Sequence, residues 1–160
     1  MSLVREGDAA PGAGSGFVFK NKSGNPFGQY LLNNDGRAAF TASFGLAGDD
    51  SSSNFGLWAE DPSGGLALVL SAGEAIEVAP GDFRTLSSQT PFVLALGAGV
   101  ENGDPTYFND AGQIAFRASF TDGSAGIFLA SFGDHQVPEP RAVLLIGLGL
   151  AGLAWSRRRR

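Results

Sequence analysis

The stretch Asn33-Asn34-Asp35-Gly36-Arg37-Ala38-Ala39-Phe40-Thr41-Ala42-Ser43-Phe44 decides how this chain is read. It opens on Asn-x-x-Gly, where Asn tolerates the left-handed region and Gly takes positive φ without strain, so a tight bend is predicted. Beyond the bend, Ala38, Phe40, Ala42 and Phe44 recur at period two. That spacing predicts a strand with small and aromatic side chains on one face. The passage returns at Asn109-Asp110-Ala111-Gly112-Gln113-Ile114-Ala115-Phe116-Arg117-Ala118-Ser119-Phe120, with seven of twelve positions identical. Ile114, Phe116, Ala118 and Phe120 repeat the alternation.

Working outward, Gly56-Leu57-Trp58-Ala59 matches Gly126-Ile127-Phe128-Leu129, with the loop before it six residues longer in the first copy. A third echo pairs Gly7 and Ala10-Pro11-Gly12 with Gly73 and Ala79-Pro80-Gly81. The chain thus reads as an internal repeat that starts partway through a unit. Further strands are predicted at Phe55–Ala59, at Leu66–Leu70 after the turn Asp61-Pro62-Ser63-Gly64-Gly65, at Phe92–Leu96 and at Gly126–Phe132. No stretch before the C-terminal tail carries helical periodicity.

The motif Asn-x-x-Gly-x-x-Ala-Phe, formed by Asn33, Gly36, Ala39, Phe40 and again by Asn109, Gly112, Ala115, Phe116, resembles the NxxGxxAF tandem-repeat proteins that carry various C-terminal anchors. The expected fold is mainly β: a tandem repeat over residues 1–132 whose units look like blades of a partial β-propeller, with a β-sandwich as the alternative. Two units cannot close a ring, so exposed edge strands are expected.

The composition fits such a body. The 160 residues include 24 Gly and 13 Phe, one His and no Cys, with 17% charged residues and a net charge of −5. An acidic chain lacks the basic face that nucleic acid demands, and the absence of Cys removes disulfides, thiolate metal sites and a cysteine nucleophile. The charge is unevenly placed. Residues 1–137 hold 6 basic against 15 acidic residues, while Arg141, Arg157, Arg158, Arg159 and Arg160 crowd the end.

Between those arginines, Ala142 to Trp155 is an uncharged apolar run of ~21 Å if helical, short of a ~30 Å bilayer core. Trp155 stands where an interfacial aromatic would, and the flanking arginines can snorkel toward headgroups. A membrane helix over residues 141–160 is therefore predicted, in contact with lipid. Upstream, residues 133–140 form a linker ending in Val137, Pro138, Glu139 and Pro140, whose prolines bar helix until Pro140 is passed. Pro-Glu-Pro, apolar helix and Arg cluster together resemble the PEP-CTERM sorting signal of exported proteins in exopolysaccharide-producing Gram-negative bacteria. The resemblance implies recognition by an exosortase, a membrane transpeptidase-like enzyme, with processing near Pro138-Glu139-Pro140. Positive residues stay inside, which puts the body outside the cytoplasm. That topology needs an export signal, and Met1 to Asp8 has no apolar core. The chain is accordingly expected to be the C-terminal piece of a longer protein.

Candidate chemistry is sparse. His135 is a lone linker histidine, and Ser51-Ser52-Ser53 has no base beside it. Asp49, Asp50 and Asn54 offer oxygen ligands for Ca²⁺ but lack EF-hand spacing, so a solvated loop is expected. Gly12-Ala13-Gly14 and Gly97-Ala98-Gly99 lack the strand–helix setting of a phosphate loop. Arg37 and Arg117 are expected to face solvent, and Phe40, Phe44, Phe116 and Phe120 to pack the core. No cofactor is expected. Two functions stand: a non-enzymatic surface or matrix protein that meets exopolysaccharide or protein partners, and an anchored hydrolase using carboxylates such as Glu60, Asp61, Glu74 and Glu77.

Overall fold

The computed structural model describes residues 3–21, 24–88, 91–94 and 107–131. The apolar helix expected over 141–160, the linker with Val137, Pro138, Glu139 and Pro140, and His135 lie outside the described residues, as do Arg141 and Arg157 to Arg160. Within those described, the chain is all β, and no helix is present. Its strands are β1 (Phe17–Phe19), β2 (Phe27–Leu32), β3 (Ala38–Leu46), β4 (Asn54–Glu60), β5 (Leu66–Ser71), β6 (Ala75–Ala79), β7 (Asp82–Thr85), β8 (Phe92–Leu94), β9 (Gln113–Ser119) and β10 (Ala125–Ser131). Every pairing is antiparallel.

The long strand β3 organises the N-terminal unit. β4 and then β5 lie on one side of it, and β1 and β2 share the other. β9 does the same in the C-terminal unit, between β10 and β8, with Leu86 bridging to Phe120 where β1 meets β3 in the first unit. The sheets are open, and none closes on itself.

The two units use the same hydrogen bonds. Gly7 N donates to Phe19 O and Phe19 N to Asp8 O; Gly73 N donates to Leu86 O and Leu86 N to Glu74 O. Ser43 N reaches Pro26 O at 2.8 Å, and Ser119 N reaches Pro91 O at 2.9 Å. Side-chain packing is matched as well. Trp58 stacks on Phe40 (6.1 Å, 16°) and meets Phe44 edge-on, while Phe128 stacks on Phe116 (6.0 Å, 27°) and meets Phe120 edge-on. Each ring lies over a glycine, Gly56 or Gly126, where a Cβ would come within 2.5 or 2.8 Å of it.

Period-two alternation gives each sheet a front and a back. The front of the first unit buries Phe40, Ala42, Phe44 and Trp58 with Phe19 and Ala10, beneath the segment that precedes β1. Its back carries Ala39, Leu57, Ala59 and Leu70. Against this back packs the front of the second unit: Leu86, Phe92, Leu94, Ile114, Phe116, Ala118 and Phe120, with Phe108. The units therefore stack front to back, and the apolar area removed from water at this junction is the main force joining them.

Candidate functional site

The first candidate residues are those of the two Asn-x-x-Gly motifs. Each closes a turn: Gly36 N donates to Asn33 O and Gly112 N to Asn109 O, with φ of 76° and 73° at the glycines, so a Cβ there would be strained. The Asn side chain completes the turn by accepting from the residue after the glycine, Arg37 N at 2.8 Å and Gln113 N at 2.9 Å. Ala39 and Phe40 enter β3, one facing each side and both buried; Phe116 is buried likewise, whereas Ala115 is half-buried.

The fold brings the two turns together, which the spacing could not show. Asn33 Nδ2 donates to Asn109 O at 3.2 Å. The Asp110 carboxylate accepts from Asn34 N, Asn34 Nδ2 and Asp35 N, at 2.9, 3.1 and 3.3 Å. Arg37 does not face solvent as expected. Its guanidinium pairs with Asp35 and donates to Asp110 O, and its Nη1 is buried, because the opposing turn closes over it. Arg117 is exposed, as expected. The motif residues thus form a clasp at the end of the unit junction.

At the other end of the junction the two sheets part, leaving a cleft of ≈ 460 Å³. Hydroxyls of Thr41, Ser43, Ser53 and Ser88, the amides of Gln29 and Asn54, and the rings of Phe55 and Phe92 line it, with Gly28 and Val93 at its margin. None of these side chains is charged. Phe55 and Phe92 come from different units and stack at 5.3 Å. Gln29 Oε1 accepts from Leu94 N and Gln29 N donates to Thr41 Oγ1, which ties the cleft to both sheets. Phe55 and Phe92 read from sequence only as strand residues, since the cleft gathers short pieces of chain from both units. The one signal was the proline–phenylalanine pair, Pro26-Phe27 and Pro91-Phe92, which recurs before matched strands.

The candidate carboxylates are each engaged by a neighbouring backbone. Glu60 Oε2 accepts from Ala38 N at 2.6 Å, Glu74 Oε2 from Ser71 N at 2.9 Å and Glu77 Oε1 from Gly81 N at 2.7 Å. Asp61 Oδ1 takes Ser63 N, Ser63 Oγ and Gly65 N, and its carboxyl is held below the usual range, first by the Ser63 hydroxyl and next by the Gly65 amide. The Asp49-Asp50 loop receives a cation of its own. Lys20 Nζ donates to Asp49 O at 2.9 Å and Asp50 Oδ1 at 3.1 Å, and Ser51 N and Oγ donate to Asp49 Oδ1, so both carboxylates of the candidate Ca²⁺ group are engaged. Among the described residues, no group of three acidic, His or Cys side chains could hold a metal ion.

Comparison with known proteins adds two findings. Residues 1–144 match a family of unknown function, DUF7453, and residues 136–160 match the PEP-CTERM protein-sorting motif. No curated protein and no solved structure matches the chain.

Proposed function

The chain belongs to DUF7453, a family of unknown function, and on that premise we propose that it is a non-enzymatic surface protein whose β body binds neutral polysaccharide. The sorting motif makes it a protein sorted by exosortase, a membrane enzyme, to the cell surface, membrane-anchored with its body extracytoplasmic. The finer proposal has processing near Pro138-Glu139-Pro140. An apolar helix from Ala142 to Trp155 is held in lipid between Arg141 and the terminal arginines. The source is a Gram-negative bacterium that builds an exopolysaccharide matrix. Front-to-back stacking of the two units supports the blade-like reading of the body over a sandwich.

The observation that carries the binding proposal is the uncharged cleft. Its size is within the range of small-ligand sites, ~300–1,000 Å³. Hydroxyl and amide groups match the hydroxyls of a sugar, and aromatic rings match its apolar C–H faces. With no charge in its lining, the cleft offers nothing to a phosphate or a polyanion. The engagement of Glu60, Asp61, Glu74 and Glu77 by backbone amides supports binding without hydrolysis.

The test uses full-length protein in mild detergent, applied to immobilised neutral and acidic polysaccharides. Ser53→Trp and Ser88→Trp, both at exposed positions, should block the cleft and abolish retention on the neutral matrix while leaving the circular dichroism unchanged. Release of new reducing ends would instead favour the hydrolase. In cells, removal of residues 137–160 should stop processing and surface retention. Equal processing and retention with and without them would refute the assigned role of the tail.

A further inference from the structure

The two outer faces of the stack are bare at positions whose counterparts are buried at its centre. On the back of the second unit, Ile127 and Leu129 are 77% and 62% exposed, whereas Leu57 and Ala59, in the same register on β4, are both 0%. On the front of the first unit, Tyr30 pairs with Phe40 and is 74% exposed; Leu94 pairs with Phe116 in the second unit and is 0%. Leu32, also on that front, is 61% exposed. What buries Leu57, Ala59 and Leu94 is the contact between the two units.

We propose that the front of the first unit in one copy of this chain packs on the back of the second unit in another, repeating between chains the junction made within each. The chain carries both halves of that junction, so the partner whose shape and register are already known to fit is a second copy. The segment before β1 already covers Phe40, Ala42, Phe44 and Trp58, so the contact between copies falls on the uncovered β2 margin of that front, at Tyr30 and Leu32.

Charge agrees with this pairing. The second unit's back carries one charged side chain among the described residues, the exposed Arg117, in line with Val93 and Ile127 across the sheet. The segment lying against the opposite front brings the exposed acids Glu6 and Asp8 against one exposed base, Arg5, and so is acidic on balance. A back-to-back pair would instead set Arg117 against its own copy. The contact is heterologous, so it either closes a ring or propagates as a filament.

The chain contains no cysteine, which makes the test clean. Leu94 N meets Gln29 Oε1 within the chain, and their counterparts across the proposed contact are Tyr30 and Val93. Full-length Tyr30→Cys and Val93→Cys chains, in mild detergent under a thiol–disulfide buffer, should cross-link with each other in several-fold excess over either alone. Added Arg117→Glu should reduce the mixed product, most strongly at low salt, where charges are least screened. The double variant should give a ladder for a filament or one discrete oligomer for a ring, and either supports the proposal. Val93→Cys cross-linking chiefly to itself, or the absence of a mixed product from chains with native circular dichroism, would overturn it.

Discussion

Three loops of this protein are closed by one device, Asp-x-Ser. Asp49, Asp61 and Asp122 each accept, through Oδ1, from the backbone N–H and the hydroxyl of the serine two residues on, with hydroxyl distances of 2.6 Å in all three. Only the ionised carboxylate accepts freely, so the Ser hydroxyl, as the largest cause, holds each pKa below the ordinary 3.8. The sign follows from proton linkage. The folded chain binds fewer protons than the unfolded one as pH falls through the aspartate range, so these contacts stabilise above that range and are lost below it. Thermal melts of the full chain should therefore fall in acid, below about pH 4. Replacing all three by Asn should lower the melt near neutrality and flatten its acid decline. An unchanged pH slope in the triple variant would show that the turns do not carry the effect.

At the scale of strands, the ring-over-glycine contact predicts an unequal pair of effects. Gly56→Ala sets a methyl 2.5 Å from the Trp58 ring and 3.0 Å from Leu68, in a core with no room to yield. It should cost about 1–3 kcal/mol in urea unfolding, the usual range for overpacking. Gly126→Ala presses on the half-buried Phe128, which can swing outward, and should cost less; equal costs would disprove this account. These two positions were legible in the sequence, because identical packing keeps Gly-x-aromatic in register. β3 and β9 were legible because small and aromatic residues alternate along them, and β4, β5, β8 and β10 because each is a short apolar run. β1, β2, β6 and β7 were not. They are short or exposed on alternate residues, and tertiary pairing rather than side-chain pattern makes them strands. Nor could the sequence place Arg37, whose environment is set by Asp110, a contact that exists only after the units stack.

Stacking also decides how the described body unfolds as a whole. The first unit's back is buried only beneath the second, through Leu57, Ala59 and Leu70 against Phe116, Ala118 and Leu94. Neither sheet has a complete core alone, and the clasp of Asn33 and Asp110 adds polar contacts that require both. One cooperative transition is expected, not two. Trp58 can report on it, since it lies at 0% exposure in the first unit's front core, away from the junction. With Trp155→Phe, it becomes the only tryptophan of the full chain. Phe116→Ala, made in the second unit, should then cost about 3–5 kcal/mol. The Trp58 fluorescence midpoint in urea should shift by as much as the midpoint followed by circular dichroism. If Trp58 kept its original midpoint while the dichroism signal split in two, the units would be independent folds joined by a tether. The unit-on-unit junction would then lose its claim as the contact that holds the body together.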